Sequence, residues 1–272
     1  MTLVLTAKQH DRIKVVTDSR LTFNKDLNLY SDACIKLFSI PVNIYTSVVD
    51  DKTKKVTKEL FYSNTWCLAL AGSYTNGLVL KEITAELLSR LTIKKKENFQ
   101  LPDICDYILN LFKTTSDSIL PILRENGRCI LFIAGYDEQM DKVRSFIFRH
   151  EIIDGEYQPV YSEVELKSNN IRGFGSGVPT LNKNGQIEHK SIIHAVETVI
   201  NDEEDNSVGG KIQYGEFNDD NQFEIFGIER ITSHKDGRDR TRMNILSIDM
   251  VKDLIGKNQN FDLGHSFKRV KD

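Results

Sequence analysis

Two amphipathic helical stretches follow one another with no strand between them, and strand-like runs lie on either side. From Asn76 to Leu91 the apolar residues Val79, Ile83, Leu87 and Leu91 recur every four positions. From Pro102 to Leu123, Ile104, Ile108, Leu111, Phe112 and Ile119 nearly repeat the spacing. Pro102 suits the start of the second helix, and Lys94-Lys95-Lys96-Glu97-Asn98 supplies a polar connection. A doubly wound parallel sheet alternates strand and helix. Two successive helices between groups of strands instead suit a layered α+β sandwich, with helices outside two sheets.

The strand signals complete this order. Leu3-Val4-Leu5 and Ile13-Lys14-Val15-Val16 flank a polar turn at Gln9-His10-Asp11, which predicts an opening hairpin over 2–7 and 13–18. Further strands are expected over Ile35 to Ile40, Trp66 to Ala71, Cys129 to Tyr136, Arg144 to His150, Val160 to Leu166 and Ile171 to Phe174. A third helix is expected over Lys190 to Asn201, with Ile192, Val196, Val199 and Ile200 on one face. A hairpin over Lys211 to Phe217 and Gln222 to Ile228 follows. Residues 41–64 carry Asp50-Asp51-Lys52 and Lys54-Lys55 and read as a solvated insertion, a projecting hairpin being one form of it. After Glu229 a basic segment leads to an expected helix near Asn244 to Ile255. The organisation is therefore one domain over 1–228 with a 41–64 insertion, then a C-terminal extension over 229–272.

At 272 residues, 40% hydrophobic and 28% charged, the chain can bury a large core. No apolar run approaches the ~18 residues of a membrane span, and the start lacks a signal-peptide pattern. Cys34, Cys67, Cys105 and Cys129 include no CxxC pair and read as reduced core thiols of a cytoplasmic protein. A net charge of −3 gives no general attraction to nucleic acid or an anionic membrane.

The chemistry concentrates at the start of the chain. Thr2 stands directly behind Met1, and once Met1 is removed it carries a hydroxyl nucleophile and a free α-amine on one residue. Such an amine titrates near ~7.7–8.0 and can serve as the base that an internal threonine must find elsewhere. Asp18-Ser19-Arg20 follows a short strand, and an isolated Lys36 opens Lys36-Leu37-Phe38-Ser39-Ile40. Farther on come Ala71-Gly72, then Gly175-Ser176-Gly177, then Asp205 ahead of Gly209-Gly210. In this order and spacing the chain resembles the proteasome β-subunit family, including its simpler bacterial relatives, among the N-terminal nucleophile hydrolases. The resemblance covers roughly residues 2–228.

The resemblance implies a four-layer αββα sandwich and a threonine peptidase in a homo-oligomeric ring, acting on peptides or unfolded proteins with a possible ATPase partner. It implies Thr2 as nucleophile, Lys36 as the charge that activates it, and Asp18 as the group that keeps Lys36 cationic. Gly72 would donate its N–H to the oxyanion, Ser176 and Asp205 would hold the Thr2 amine, and Thr22 would pair with an extended substrate. Arg20 and Ser207 are supporting residues, Arg20 by fixing the Asp18 turn. Where the family usually has Ser directly before Gly-Gly this chain has Val208, with Ser207 displaced by one position. Maturation by methionine excision is expected. A non-catalytic scaffold subunit and a small-molecule amidase of the same superfamily remain alternatives.

Other sites are weaker. The six histidines show no metal-ligand spacing, so neither metal nor cofactor is expected. The basic run from Lys235 to Arg242 is interrupted by acids and lacks interleaved aromatics, which reads as a solvated or subunit-contacting segment.

Overall fold

The computed structural model describes residues 2–24, 29–49, 52–93, 99–168, 170–183, 191–202, 207–233, 239–249 and 266–271. The chain divides into two compact units. One comprises Met1–Phe38, Leu166–Phe217 and Glu224–Asp272, the other Ser39–Glu165 and Asn218–Phe223.

The first unit opens with the expected hairpin, β1 (Leu3–Gln9) and β2 (Arg12–Thr17), paired antiparallel with Val4 opposite Thr17. Its apolar residues Leu3, Leu5 and Val16 are fully buried. A separate ribbon pairs β3 (Leu21–Asn24) with β4 (Leu29–Ser31).

The second unit is built on two long strands, β5 (Leu37–Val49) and β6 (Val56–Gly72). Residues 41–64 therefore contribute strand, with Val42, Ile44 and Tyr62 buried and Val49, Val56 and Leu60 exposed. Helix α1 (Tyr74–Leu88) packs on β6, and its predicted period is correct but its buried face is displaced by one residue. Asn76, Leu80, Thr84 and Leu88 point inward, while Val79 and Ile83 are exposed. A short β7 (Leu91–Ile93), paired with β5, takes Leu91 out of the helix and puts a strand between the two helices, which the sequence had set in direct succession. Helix α2 (Leu101–Leu123) starts with Pro102 in its first turn and a capping box between Gln100 and Asp103. It buries Ile104, Ile108 and Phe112. Then β8 (Cys129–Asp137), β9 (Lys142–Ile153) and β10 (Glu156–Glu163) complete a six-stranded sheet in the order β10-β9-β8-β6-β5-β7.

The chain returns to the first unit through β11 (Ile171–Gly175), which pairs with β1 and sets Leu3 opposite Gly175. Helix α3 (Val178–Lys183), which the sequence reading lacked, precedes α4 (Ile192–Ile200). Ile192, Val196 and Val199 of α4 join Leu3, Leu5 and Val16 in one core cluster. Strands β12 (Gln213–Phe217), β13 (Phe223–Ser233), β14 (Asp239–Ile245), β15 (Ile248–Asp249) and β16 (Phe267–Lys271) follow. The sheet order is β11-β1-β2-β12-β13-β14-β15, with β16 parallel to β13. The helix expected near 244–255 is thus replaced by the end of β14, a turn at Leu246-Ser247 and β15, and residues 250–255 lie outside the described residues.

The expected four-layer αββα sandwich is not the architecture found. Of the described residues about 50% are strand and 26% helix, distributed over several sheets and a half-barrel. Among the described residues the helices of the first unit, α3 and α4, have six and nine residues. At ~1.5 Å per residue α4 is about 14 Å long, whereas the seven strands that lie side by side, spaced ~4.8 Å apart, extend about 29 Å. The periodic signal located α4 but carried no information on how little of the sheet it could cover.

Candidate active site

The site residues of the first unit gather where β1 begins. Antiparallel pairing places the end of β2 beside the start of β1, so Asp18, one residue beyond β2, lies against Leu3. The Leu3 N–H donates to Asp18 Oδ1 at 2.9 Å, and the Asp18 N–H donates to the Leu3 carbonyl. Asp18 Oδ2 accepts from the N–H groups of Arg20 at 3.1 Å and Gly209 at 3.2 Å. Both carboxylate oxygens also receive Lys36 Nζ, at 3.0 Å each.

Lys36 is a fully buried ion. Its side chain is 2% exposed and that of Asp18 0%. Besides Asp18, the ammonium donates to the Arg20 carbonyl, so three oxygens surround it. Burial pulls the Lys36 pKa below its ordinary value, and the charge of Asp18 with its hydrogen bond opposes that pull. With its donors directed at these oxygens, Lys36 acts on its surroundings through charge.

Thr2 is buried, and its nitrogen donates to Ser176 Oγ at 3.1 Å. That atom is a peptide nitrogen here and stands in for the α-amine that removal of Met1 would free. The β1–β11 pairing explains the contact, because Leu3 opposite Gly175 brings Thr2 against the next residue, Ser176. Gly177 is sterically required, since a Cβ there would lie 2.7 Å from the Val208 side chain. Val208 is fully buried in the core cluster. Ser207 is 1% exposed beside it. Asp205 lies outside the described residues.

Arg20 makes contacts through both its backbone and its side chain. Its backbone N–H binds Asp18, while its guanidinium takes Asp32 in a fork, Nε to Oδ1 at 2.7 Å and Nη2 to Oδ2 at 3.0 Å, and stacks on Tyr30 3.8 Å from the ring centre. Ser19 Oγ donates to the Asp32 carbonyl at 2.6 Å and accepts from the Lys211 N–H at 2.7 Å. Thr22 lies on β3 opposite Tyr30. Gly72 belongs to the second unit, at the end of β6 opposite Cys129, where a φ of 83° requires glycine.

Two residues of this network escaped the sequence reading. Gln213, 1% exposed, accepts from the N–H groups of Lys36 at 2.8 Å and Leu37 at 3.1 Å and donates to the Cys34 carbonyl and to Ser247 Oγ. A lone glutamine belongs to no motif, so only tertiary contact reveals it. Asp32 had a readable signal, as a nearby acid for Arg20. The four cysteines are free and buried.

No protein family and no curated protein matches the sequence. Solved structures do share the fold. The helical assembly of the Anbu complex from Pseudomonas aeruginosa is 11% identical with a TM-score of 0.52, over 82% of this chain and 85% of that one. Anbu (ancestral beta-subunit) from Yersinia bercovieri is 11% identical with a TM-score of 0.52, over 82% and 86%. These likenesses correct the resemblance drawn from the sequence. The fold is Anbu-like, and Anbu proteins are proteasome-like but distinct from the proteasome β-subunit family that the motifs suggested. At 11% identity the match concerns fold alone.

Proposed function

We propose that Thr2 is the nucleophile of an N-terminal threonine hydrolase that cleaves amide bonds in peptides. The observation that carries this reading is Asp18 Oδ1, which accepts from both the Leu3 N–H and Lys36 Nζ and so holds a buried cation one carboxylate away from the residue after Thr2. A buried Lys–Asp pair is costly to desolvate, and hydrophobic residues would pack a core at least as well. Its presence at the start of β1 is explained by a chemical task.

The mechanism requires Thr2 to be the first residue of the active form. Thr2 Oγ then attacks the amide carbonyl while the α-amine takes the hydroxyl proton. The resulting ammonium returns that proton to the departing amine, leaving an ester on Thr2. Water activated by the same amine hydrolyses the ester and regenerates the hydroxyl. The charge of Lys36 favours the neutral amine and the developing alkoxide, and Ser176 Oγ holds the nitrogen through its hydrogen bond. We further place the protein in the cytoplasm, acting as a homo-oligomer, in keeping with its free cysteines and with the helical assembly described for the P. aeruginosa neighbour.

Intact-mass analysis with and without a threonine-directed epoxyketone tests the reading. The expected result is loss of Met1 and a single adduct that Thr2→Ala abolishes. Absence of labelling, with equal background hydrolysis of fluorogenic peptides by the parent, Thr2→Ala and Lys36→Ala proteins, would assign the chain to a non-catalytic scaffold role.

A further inference from the structure

Lys36 reaches Asp18 from a stretch of chain that has no strand ladder. Residues 33–36 belong to no helix or strand, so side chains rather than strand pairing fix the main chain that carries the ammonium. Gln213 Oε1 accepts from the N–H groups of Lys36 at 2.8 Å and Leu37 at 3.1 Å, and from Thr17 Oγ1 at 3.3 Å. Two residues before Lys36, Cys34 is held on both sides. Its N–H donates to the Ser19 carbonyl at 3.1 Å, and its carbonyl accepts from Gln213 Nε2 at 2.5 Å.

The remaining partner of this carboxamide comes from the C-terminal segment, beyond the residues that the proteasome resemblance covers. Ser247 Oγ accepts from Gln213 Nε2 at 2.9 Å and donates to the Cys34 carbonyl at 3.2 Å, which closes a ring of three hydrogen bonds. Ser247 lies in the two-residue connection between β14 and β15, where both residues are left-handed, Leu246 with a φ of 42° and Ser247 with a φ of 81°. Such connections favour Asn-Gly, so a leucine and a serine there are strained. Backbone strain persists where the surroundings hold it, and it concentrates at functional sites. Glycine would relieve the backbone at 247 but could not supply the hydroxyl.

We propose that the β14–β15 turn positions the Lys36 charge, with Ser247 as the positioning residue. Ser247 fixes the Gln213 carboxamide, and the carboxamide fixes the backbone of Lys36 and Leu37. Without the hydroxyl, one Nε2 hydrogen loses its acceptor and the carboxamide is free to turn. Turning takes Oε1 away from both N–H groups and loosens the segment from which Lys36 enters the Asp18 network. The effect on turnover rests on the reading of Thr2 as nucleophile; the hold on Lys36 does not.

Ser247→Gly and Ser247→Ala in the full chain test the proposal through residue-resolved amide hydrogen exchange, thermal melting and the rate of epoxyketone labelling. Exchange at Lys36 and Leu37 is expected to rise about 5-fold in both variants, the scale of one lost hydrogen bond. Ser247→Gly is expected to melt above Ser247→Ala, because glycine removes the backbone strain that alanine keeps. At saturating epoxyketone both variants should label at least ~5-fold more slowly than the parent, with the half-saturating concentration unchanged, since a misplacement of ~1 Å can cost up to ~100-fold. A serine with a structural role only would make exchange and labelling follow the melting temperature, leaving Ser247→Gly close to the parent. That result would overturn the proposal, as would unchanged exchange at Lys36 and Leu37, or unchanged labelling in variants whose exchange has risen. A parent that does not label sinks the Thr2 reading, and exchange at Lys36 and Leu37 then decides alone whether Ser247 holds the lysine.

Discussion

Lys36 and Asp18 form a buried ion pair, with Nζ 3.0 Å from both carboxylate oxygens and side chains 2% and 0% exposed. Asp18 also holds three backbone N–H groups, those of Leu3, Arg20 and Gly209. One carboxylate therefore fixes the start of β1, the turn after β2, the Gly209 segment and the cation.

Removing the cation should separate chemistry from stability. Lys36→Ala is expected to lower amide hydrolysis by ~100-fold or more, the scale of losing one preorganised electrostatic group. It leaves Asp18 charged and buried, which costs ~3–5 kcal/mol in comparable pairs, and the three remaining N–H donors favour the low end. Urea unfolding beside peptide kinetics measures both effects. Unchanged turnover in a folded Lys36→Ala protein would remove Lys36 from the mechanism.

Thr2→Ser should retain epoxyketone labelling and Thr2→Ala should lose it, because serine keeps a hydroxyl and an α-amine on the same residue. A preparation that keeps Met1 should be silent. Full activity with Met1 quantitatively retained in the mass spectrum would contradict the use of the Thr2 amine as base.

Gln213 is expected to be a stability determinant that no motif marks. Gln213→Leu strands the N–H groups of Lys36 and Leu37 and the Cys34 carbonyl, all satisfied by one carboxamide. At ~1–3 kcal/mol for each unsatisfied buried group, the loss should reach about 3 kcal/mol in urea unfolding.

His150 should make stability sensitive to acid. Both ring nitrogens are buried without hydrogen-bond partners among the described residues, and the ring lies 4.7 Å from that of Phe112. Burial, with Arg128 nearby, lowers its pKa from the ordinary value, and Asp117 opposes this weakly. A group whose folded pKa is depressed leaves the unfolded chain binding more protons. Its contribution is therefore present above about pH 6.5 and lost as pH falls through the folded value. Thermal melts from neutral to mildly acidic pH should decline less steeply for His150→Phe than for the parent. An equal decline would show that other groups carry the acid sensitivity.

Local pattern was informative where a residue's neighbours in sequence decide its state. The β1–β2 hairpin, the α2 helix with Pro102 and Ile104, Ile108 and Phe112, and the β12–β13 pair all follow from periodicity and turn residues. In α1 the period was legible but the buried face was not, because Leu80, Thr84 and Leu88 rather than Val79 and Ile83 meet the sheet. Which stripe turns inward depends on what the helix packs against. The C-terminal segment misled for a related reason, since strand β14 exists through pairing with β13 and carries little local strand signal.

By itself the sequence determined the opening hairpin, the helices α2 and α4, the β12–β13 pair and the presence of Thr2, Asp18, Arg20, Lys36 and Ser176 as candidates. Each candidate is a residue type whose chemistry is fixed by its covalent structure. Only the tertiary structure decided that Asp18 joins Lys36 to β1, that Arg20 pairs with Asp32, and that Gln213, 177 residues from Lys36, satisfies its backbone. It also decided against a four-layer sandwich. Hydrogen bonds and ion pairs between distant segments depend on strand register and burial, and these are set by long-range pairing that no local window of sequence contains.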